Sequence, residues 1–175
     1  WPLRAAARPR RRSAPAHWQR QESRKPSFRG ALGRDIGIDL LAHAVAALGG
    51  TERAGQIAMA EAVTERTRVI FVANPNNPTG TLAKPDDVRA LVEQVPDDVL
   101  LVMDEAYYEF LDEPVDLLPL VRSGEKPNLL LMRTFSKIYG LAGLRIGYGI
   151  GHPDFVSTLE KVRQPFNTNA VAQAG

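Results

Sequence analysis

After Thr67 the chain alternates between short apolar runs and amphipathic stretches, and this alternation predicts most of its elements. RVIFVA (68–73) is a continuous β-branched and aromatic run of strand length. PDDVRALVEQV (85–95) opens with proline and two acidic residues, the chemistry that suits a helix N-terminus. VLLVM (99–103), NLLLMRT (128–134) and RIGYGIG (145–151) are three further strands, with a loop-rich EPVDLLPLVRSGEKP between the first and second of them. HPDFVSTLEKVRQ (152–164) spaces Phe155, Leu159 and Val162 as one face of an amphipathic helix. Upstream, DIGIDLLAHAVAALGG (35–50) reads as a short helix ended by its glycine pair, and MAEAVTERT (59–67) as another.

Strands buried on both faces and separated by crossovers argue for an α/β fold, a mainly parallel sheet layered between helices. No internal repeat is evident. Residues 1–34 read differently: they are rich in Arg, Ala and Pro, lack periodicity, and hold too few large apolar residues to offset their ordering entropy. The expected organisation is a disordered basic arm over 1–34 and a folded unit over 35–175.

Charge follows the same boundary. Residues 1–35 contain ten Lys/Arg against two Asp/Glu, and the remaining 140 contain twelve against eighteen. The basic pI therefore reports the arm and gives no reason to expect the folded part to seek nucleic acid. The absence of cysteine excludes disulfides and thiolate metal sites and fits a reducing compartment. No run approaches the length of a membrane span, so a cytoplasmic protein is expected.

Three polar segments each follow a predicted strand: NPNNPTG (74–80), DEAYYEF (104–110) and FSKIYG (135–140). In open parallel sheets ligands sit beyond the carboxyl ends of the strands, so all three converge on one rim. NPNNPTG is either a plain turn or a loop stiffened by its prolines so that the Asn77 amide meets a ligand. Asp104 and Glu105 end an apolar strand, and a buried carboxylate needs a partner; that partner is either an internal cation or a cationic ligand nitrogen facing Asp104. Tyr107 can bring a phenol to the same rim, while Tyr108 and Phe110 suit packing. Lys137 is either a solvated surface residue or an amine in a low-dielectric crevice, able to form a Schiff base with a carbonyl. Arg145, Thr134 and Ser136 suit a phosphate dianion, with Gly140 and Gly143 allowing close backbone approach; Arg133 either joins them or is surface. An aldehyde-bearing, phosphorylated cofactor with a ring nitrogen meets these demands together, which identifies pyridoxal 5′-phosphate.

NPNNPTG, DEAYYEF and RTFSKIYGLAGLRIGY (133–148) together resemble the pyridoxal-phosphate aminotransferases of fold type I, most closely the histidinol-phosphate aminotransferases, over about residues 59–175. The resemblance implies that 35–175 is the central part of a large cofactor-binding domain. It implies that Lys137 attaches to the cofactor and shuttles a proton, that Asp104 pairs with the pyridine nitrogen, and that Asn77 and Tyr107 bond the phenolic oxygen. Thr134, Ser136 and Arg145 would bind the phosphate, and the Asn77–Pro78 bond would be cis. The implied substrates are an amino acid and a 2-oxo acid, histidinol phosphate and imidazole acetol phosphate with glutamate as the usual partner; the full-length family is homodimeric. Aromatic aminotransferases and phosphothreonine decarboxylases share the motifs, and an inert cofactor-binding or dimerising fragment is the alternative from another class. The family's phosphate-cup glycine loop and ring-stacking aromatic are not recognisable in residues 1–58, and its carboxylate-binding arginine and small domain are expected to lie outside these 175 residues. An Arg/Ala/Pro/Gly-rich head in that place is what an out-of-frame read of GC-rich coding sequence, or a truncated gene product, is expected to look like.

Overall fold

The computed structural model describes residues 39–42 and 59–174. The basic arm expected over 1–34 lies outside the described residues.

Among the described residues, five strands form one sheet in sequence order: β1 (Asp39–Ala42), β2 (Thr67–Ala73), β3 (Leu100–Asp104), β4 (Leu129–Thr134) and β5 (Gly147–Gly151). The first four run parallel and β5 pairs antiparallel with β4. β1 corrects the helix read over 35–50. Its four residues pair from Asp39↔Thr67 to Ala42↔Phe71, so a ladder with β2 overrides local propensity; 35–38 and 43–50 lie outside the described residues. The helix expected over 59–67 is helical only over 59–61, and Thr67 already belongs to β2.

Helix α1 (Pro85–Gln94) lies in the crossover from β2 to β3 and α2 (Leu118–Ser123) in that from β3 to β4. Pro85 opens α1, Asp86 and Asp87 occupy its first turn, and Val88, Leu91 and Val92 form its buried face. α2 occupies part of the segment read as loop, and it ends at Gly124, whose φ of 73° suits glycine. Consecutive parallel strands joined by right-handed crossovers place both helices on the same face of the sheet. One core results, in which Ile70, Val72, Leu101, Met103, Leu129 and Leu131 pack with α1 and α2.

The opposite face is thinly covered by the described residues. Helix α3 (Pro153–Glu160) contributes Phe155 to a small cluster with Val102 and Leu130, whereas Phe71 and Met132 remain exposed. α3 is shorter than the amphipathic helix expected over 152–164. It ends at Glu160, so Leu159 is exposed and Val162 is 77% exposed, leaving Phe155 alone of the three predicted positions buried. A short helix, α4 (Ala170–Ala174), follows.

Close approach of β5 to β4 rests on Gly147. A Cβ at this position would lie 2.8 Å from the Arg133 carbonyl oxygen, a backbone atom that cannot swing aside. Gly147→Ala is therefore expected to lower stability by about 1–3 kcal/mol through forced overpacking, read as a fall in thermal midpoint. Gly143, expected to permit close approach, has open space around an added Cβ, whereas Gly140 has a φ of 67° that favours glycine.

Candidate active site

The carboxyl ends of β2, β3 and β4 carry the three polar segments, and the structure brings them to one rim. At β2, the NPNNPTG loop is held by two asparagines that the sequence reading did not single out. Asn74 Oδ1 accepts from Ala83 N at 2.8 Å, and Asn74 N donates to Asp104 O at 3.0 Å. Asn76 is buried, donates from Nδ2 to Thr79 Oγ1 at 2.7 Å, and brackets the turn through its backbone to Thr81 O and from Gly80 N. With those two inward, Asn77 is exposed and its Nδ2 donates to the Tyr107 hydroxyl at 3.3 Å, joining the first segment to the second. Asn74–Pro75 and Asn77–Pro78 are both cis, the second as expected and the first without a sequence signal.

At β3, strand alternation separates the two acidic residues. Asp104 shares its face with Leu100 and Val102, whereas Glu105 follows the side of Leu101 and Met103. Asp104 Oδ1 accepts from Ala106 N at 3.0 Å, its one hydrogen bond through the side chain among the described residues, so the second oxygen is available to a ligand. Glu105 is only 4% exposed and takes the internal partner: Arg133 Nε donates to Glu105 Oε2 at 2.8 Å. Of the two alternatives raised for the acidic pair, the internal cation is realised at Glu105. Arg133 also lies over the Tyr108 ring, 3.9 Å from its centroid. Burial raises the Glu105 carboxyl above its ordinary value, against the opposing pull of the Arg133 hydrogen bond and charge. Burial works against the charge on Arg133, but the Glu105 bond and charge outweigh it and hold the guanidinium above its ordinary value.

At β4, Thr134 ends the strand and pairs with Gly147 of β5. Thr134 Oγ1 accepts from Ser136 N at 3.1 Å, which turns the chain outward into the segment bearing Lys137. Because β5 runs antiparallel, its start lies beside the ends of the other strands. That reversal delivers Arg145, with a left-handed φ of 50°, to the same rim, where its Nη1 reaches Ser136 Oγ at 3.5 Å and the Ala142 carbonyl at 2.8 Å.

Lys137 departs from one expectation. Its side chain is exposed instead of enclosed in a low-dielectric crevice, because the loop carrying it projects past the last ladder pair and no described element packs over it. The amine lies 5.1 Å from the centroid of the Tyr107 ring. Asp104, Thr134, Ser136, Lys137 and Arg145 line one hollow of about 280 Å3. Asn77 and Tyr107 stand at its margin through their mutual bond and the Tyr107–Lys137 contact. A larger hollow of about 660 Å3 between β4, β5 and α3 shares Thr134, Ser136 and Arg145 but contains neither Asp104 nor Lys137, so the smaller one is the candidate site. Pro165, Phe166 and Asn167, which follow α3, line neither; Phe166 is 94% exposed and Asn167 is bonded to Arg163 at 2.9 Å. Among the described residues there is no cluster of metal-ligating side chains and no helix long and apolar enough to cross a membrane.

Sequence comparison matches residues 54–175 to a family described as aminotransferase class I and II. The chain is 56% identical over 118 residues to an aromatic amino acid aminotransferase of Mycobacteroides abscessus, covering 67% of this chain and 33% of that protein. It is 51% identical over 117 residues to histidinol-phosphate aminotransferase 1 of Nitrosococcus oceani, covering 67% and 32%. The chain thus spans about a third of the length of these curated relatives. Among solved structures, the histidinol-phosphate aminotransferase of Sinorhizobium meliloti in complex with pyridoxal 5′-phosphate superposes with a TM-score of 0.56 at 38% identity, over 67% of this chain and 31% of that one.

Proposed function

Because the chain belongs to the class I and II aminotransferase family, we propose that it binds pyridoxal 5′-phosphate in the 280 Å3 hollow and transfers an amino group between an amino acid and a 2-oxo acid. The observation that carries this reading is the convergence of one amine, one carboxylate with an available oxygen and the Arg145 guanidinium on a single hollow at the strand ends, where the other lining guanidinium, Arg133, is paired with Glu105. These match the cofactor's aldehyde, ring nitrogen and phosphate. When bound, the cofactor supplies a ring that withdraws electrons and stabilises negative charge at the substrate α-carbon.

Asp104 would keep the ring nitrogen protonated, a role that suits a carboxylate fixed by Ala106 N on the sheet face away from Glu105. Asn77 and Tyr107, already bonded to each other, would turn their donors to the phenolic oxygen. Thr134, Ser136 and Arg145 would hold the phosphate, with Arg145 supplying the charge. Lys137 would attach covalently to the aldehyde carbon, the aldehyde oxygen leaving as water, and, when free, move a proton at the substrate α-carbon. Homodimer formation and a cytoplasmic setting belong to the same proposal.

Histidinol phosphate and imidazole acetol phosphate are the proposed pair, with glutamate and 2-oxoglutarate completing the exchange. An aromatic substrate is the second reading and rests on the 56% identity to the Mycobacteroides abscessus protein. Cofactor binding without turnover is the reading from another class. Titration of the 175-residue chain with pyridoxal 5′-phosphate, followed by visible absorbance, tests binding. Histidinol phosphate or phenylalanine is then supplied with 2-oxoglutarate and glutamate formation is measured. A new band with transfer from histidinol phosphate is expected. Transfer from phenylalanine alone would favour the aromatic reading, a band without transfer the binding reading, and no band would overturn the proposal.

A further inference from the structure

We propose that Glu105, Arg133 and Tyr108 form a positioning clamp, reaching from the wall of the hollow at Arg133 to the buried side of the sheet at Glu105, that sets the spacing of Asp104, Tyr107 and Thr134 for the cofactor. This inference rests on the cofactor-site reading above.

The argument begins with the ladder between β3 and β4. Its pairs run from Leu101↔Leu129 to Asp104↔Met132, a constant offset of 28 residues, and Glu105 N still donates to Met132 O at 2.9 Å. The next pair in that register is Glu105 with Arg133. There the backbone ladder has ended, and the side-chain bond of 2.8 Å joins the two strands instead. Each clamp member is the chain neighbour of a candidate site residue: Glu105 follows Asp104, Tyr108 follows Tyr107, and Arg133 precedes Thr134. Alternation directs neighbours in a strand to opposite faces, so Glu105 fixes the backbone from the buried side while Asp104 faces the hollow.

Arg133 makes the arrangement directional. Its planar guanidinium donates to Glu105 at its edge and stacks on Tyr108 through its face, two contacts that lysine's point charge cannot make at once. Tyr108 begins a 3-10 turn, Tyr108–Phe110, and Tyr108 N donates to Glu105 O at 3.0 Å, so stacking holds the turn that carries Tyr107. The side chains of Arg133 and Glu105 are 14% and 5% exposed, which limits both solvent screening and alternative rotamers. Strand ends without such a link would be free to splay, and displacing a ligating group by a fraction of an ångström weakens what it holds.

A buried ion pair could serve stability alone, and the test separates the two roles. Glu105→Gln keeps an acceptor beside Arg133, and the paired change Glu105→Leu with Arg133→Met replaces the bond by apolar packing, a replacement that is often neutral or stabilising. For each protein, thermal midpoint without cofactor, affinity for pyridoxal 5′-phosphate by absorbance titration, and circular dichroism of the bound chromophore are measured. The paired variant is expected to regain the parental midpoint yet bind the cofactor roughly 10- to 100-fold more weakly, the range seen when supporting partners of ligating groups are removed. Its chromophore dichroism is expected to be altered, and Glu105→Gln to fall between it and the parent. Parental affinity and dichroism in both variants would overturn the clamp while leaving the cofactor site intact. A parent chain with no Lys137-dependent absorbance would overturn the functional reading and this inference with it. Because Arg133 also lines the hollow, Glu105→Gln and Tyr108→Leu, which leave every lining residue in place, decide the question by the same two measurements, also where the paired variant fails to fold.

Discussion

Lys137→Ala is expected to eliminate the visible absorbance produced on adding pyridoxal 5′-phosphate and, if the chain turns over, to reduce amino transfer by about 10^2- to 10^4-fold for loss of the proton-transfer group alone. The effect on stability is expected to be small. Lys137 is exposed, and its contact to the Tyr107 ring at 5.1 Å is of a kind worth about 0.5–1 kcal/mol at an exposed site. Loss of the absorbance with an unchanged thermal midpoint would isolate the chemistry of the amine. Retention of the absorbance would mean that another amine captures the aldehyde, and the assignment of Lys137 would fail.

Arg133→Ala has the largest expected effect on stability. It leaves the Glu105 carboxylate buried without its cation, and breaking a buried pair by removing one partner typically costs about 3–5 kcal/mol, a large share of a domain's total. The pH dependence has a definite sign. Burial raises the folded-state value of Glu105 above its ordinary 4.5, and removal of Arg133 deletes the two influences that oppose the rise. A carboxyl raised on folding favours the folded state below its unfolded value and loses that contribution as pH climbs through the folded value. The deficit of Arg133→Ala relative to the parent is therefore expected to be greatest near neutral pH and to shrink as pH falls toward 4.5. Urea unfolding at pH 7 and pH 5 checks this, and a deficit that grew on acidification would contradict the assignment of a buried, unpaired carboxylate.

The comparison with the sequence reading divides along physical lines. β2, β3 and β4 were legible because continuous apolar runs of strand length, bounded by Pro, Asn and Asp, fit little else than buried parallel strands. β1 was not, because four residues, Asp39–Ala42, carry no usable periodicity and their strand character comes from pairing with β2. α2 was hidden by Pro119, which reads as a breaker although it stands in the first turn, where its missing N–H costs nothing. The direction of β5 was also beyond reach, since alternation is the same for a parallel and an antiparallel strand.

For the candidate site, the three polar segments were legible because each follows a strand and parallel topology carries all of them to one rim. The seven nominated residues are accordingly neighbours in the fold, while their roles toward the cofactor belong to the proposal. The supporting set was not legible. Asn74 and Asn76 look like the same turn chemistry as Asn77, and the partnership of Glu105 with Arg133 depends on a register between strands 28 residues apart. The acidic pair in DEAYYEF did signal that one carboxylate needed a cation, and Arg133 in RTFSK was the unassigned cation nearest to hand.

The pairing of Thr134 with Gly147 means that the twelve residues between them leave the sheet and return to it at a single point. Ser136, Lys137 and Arg145 thus ride on a detachable hairpin tip whose two feet are already fastened. Shortening it to a two-residue turn would remove the amine and the guanidinium together without asking any strand to change partner, yielding an inert scaffold that should still fold. The sheet and the chemistry are, in this chain, separable pieces of one polypeptide.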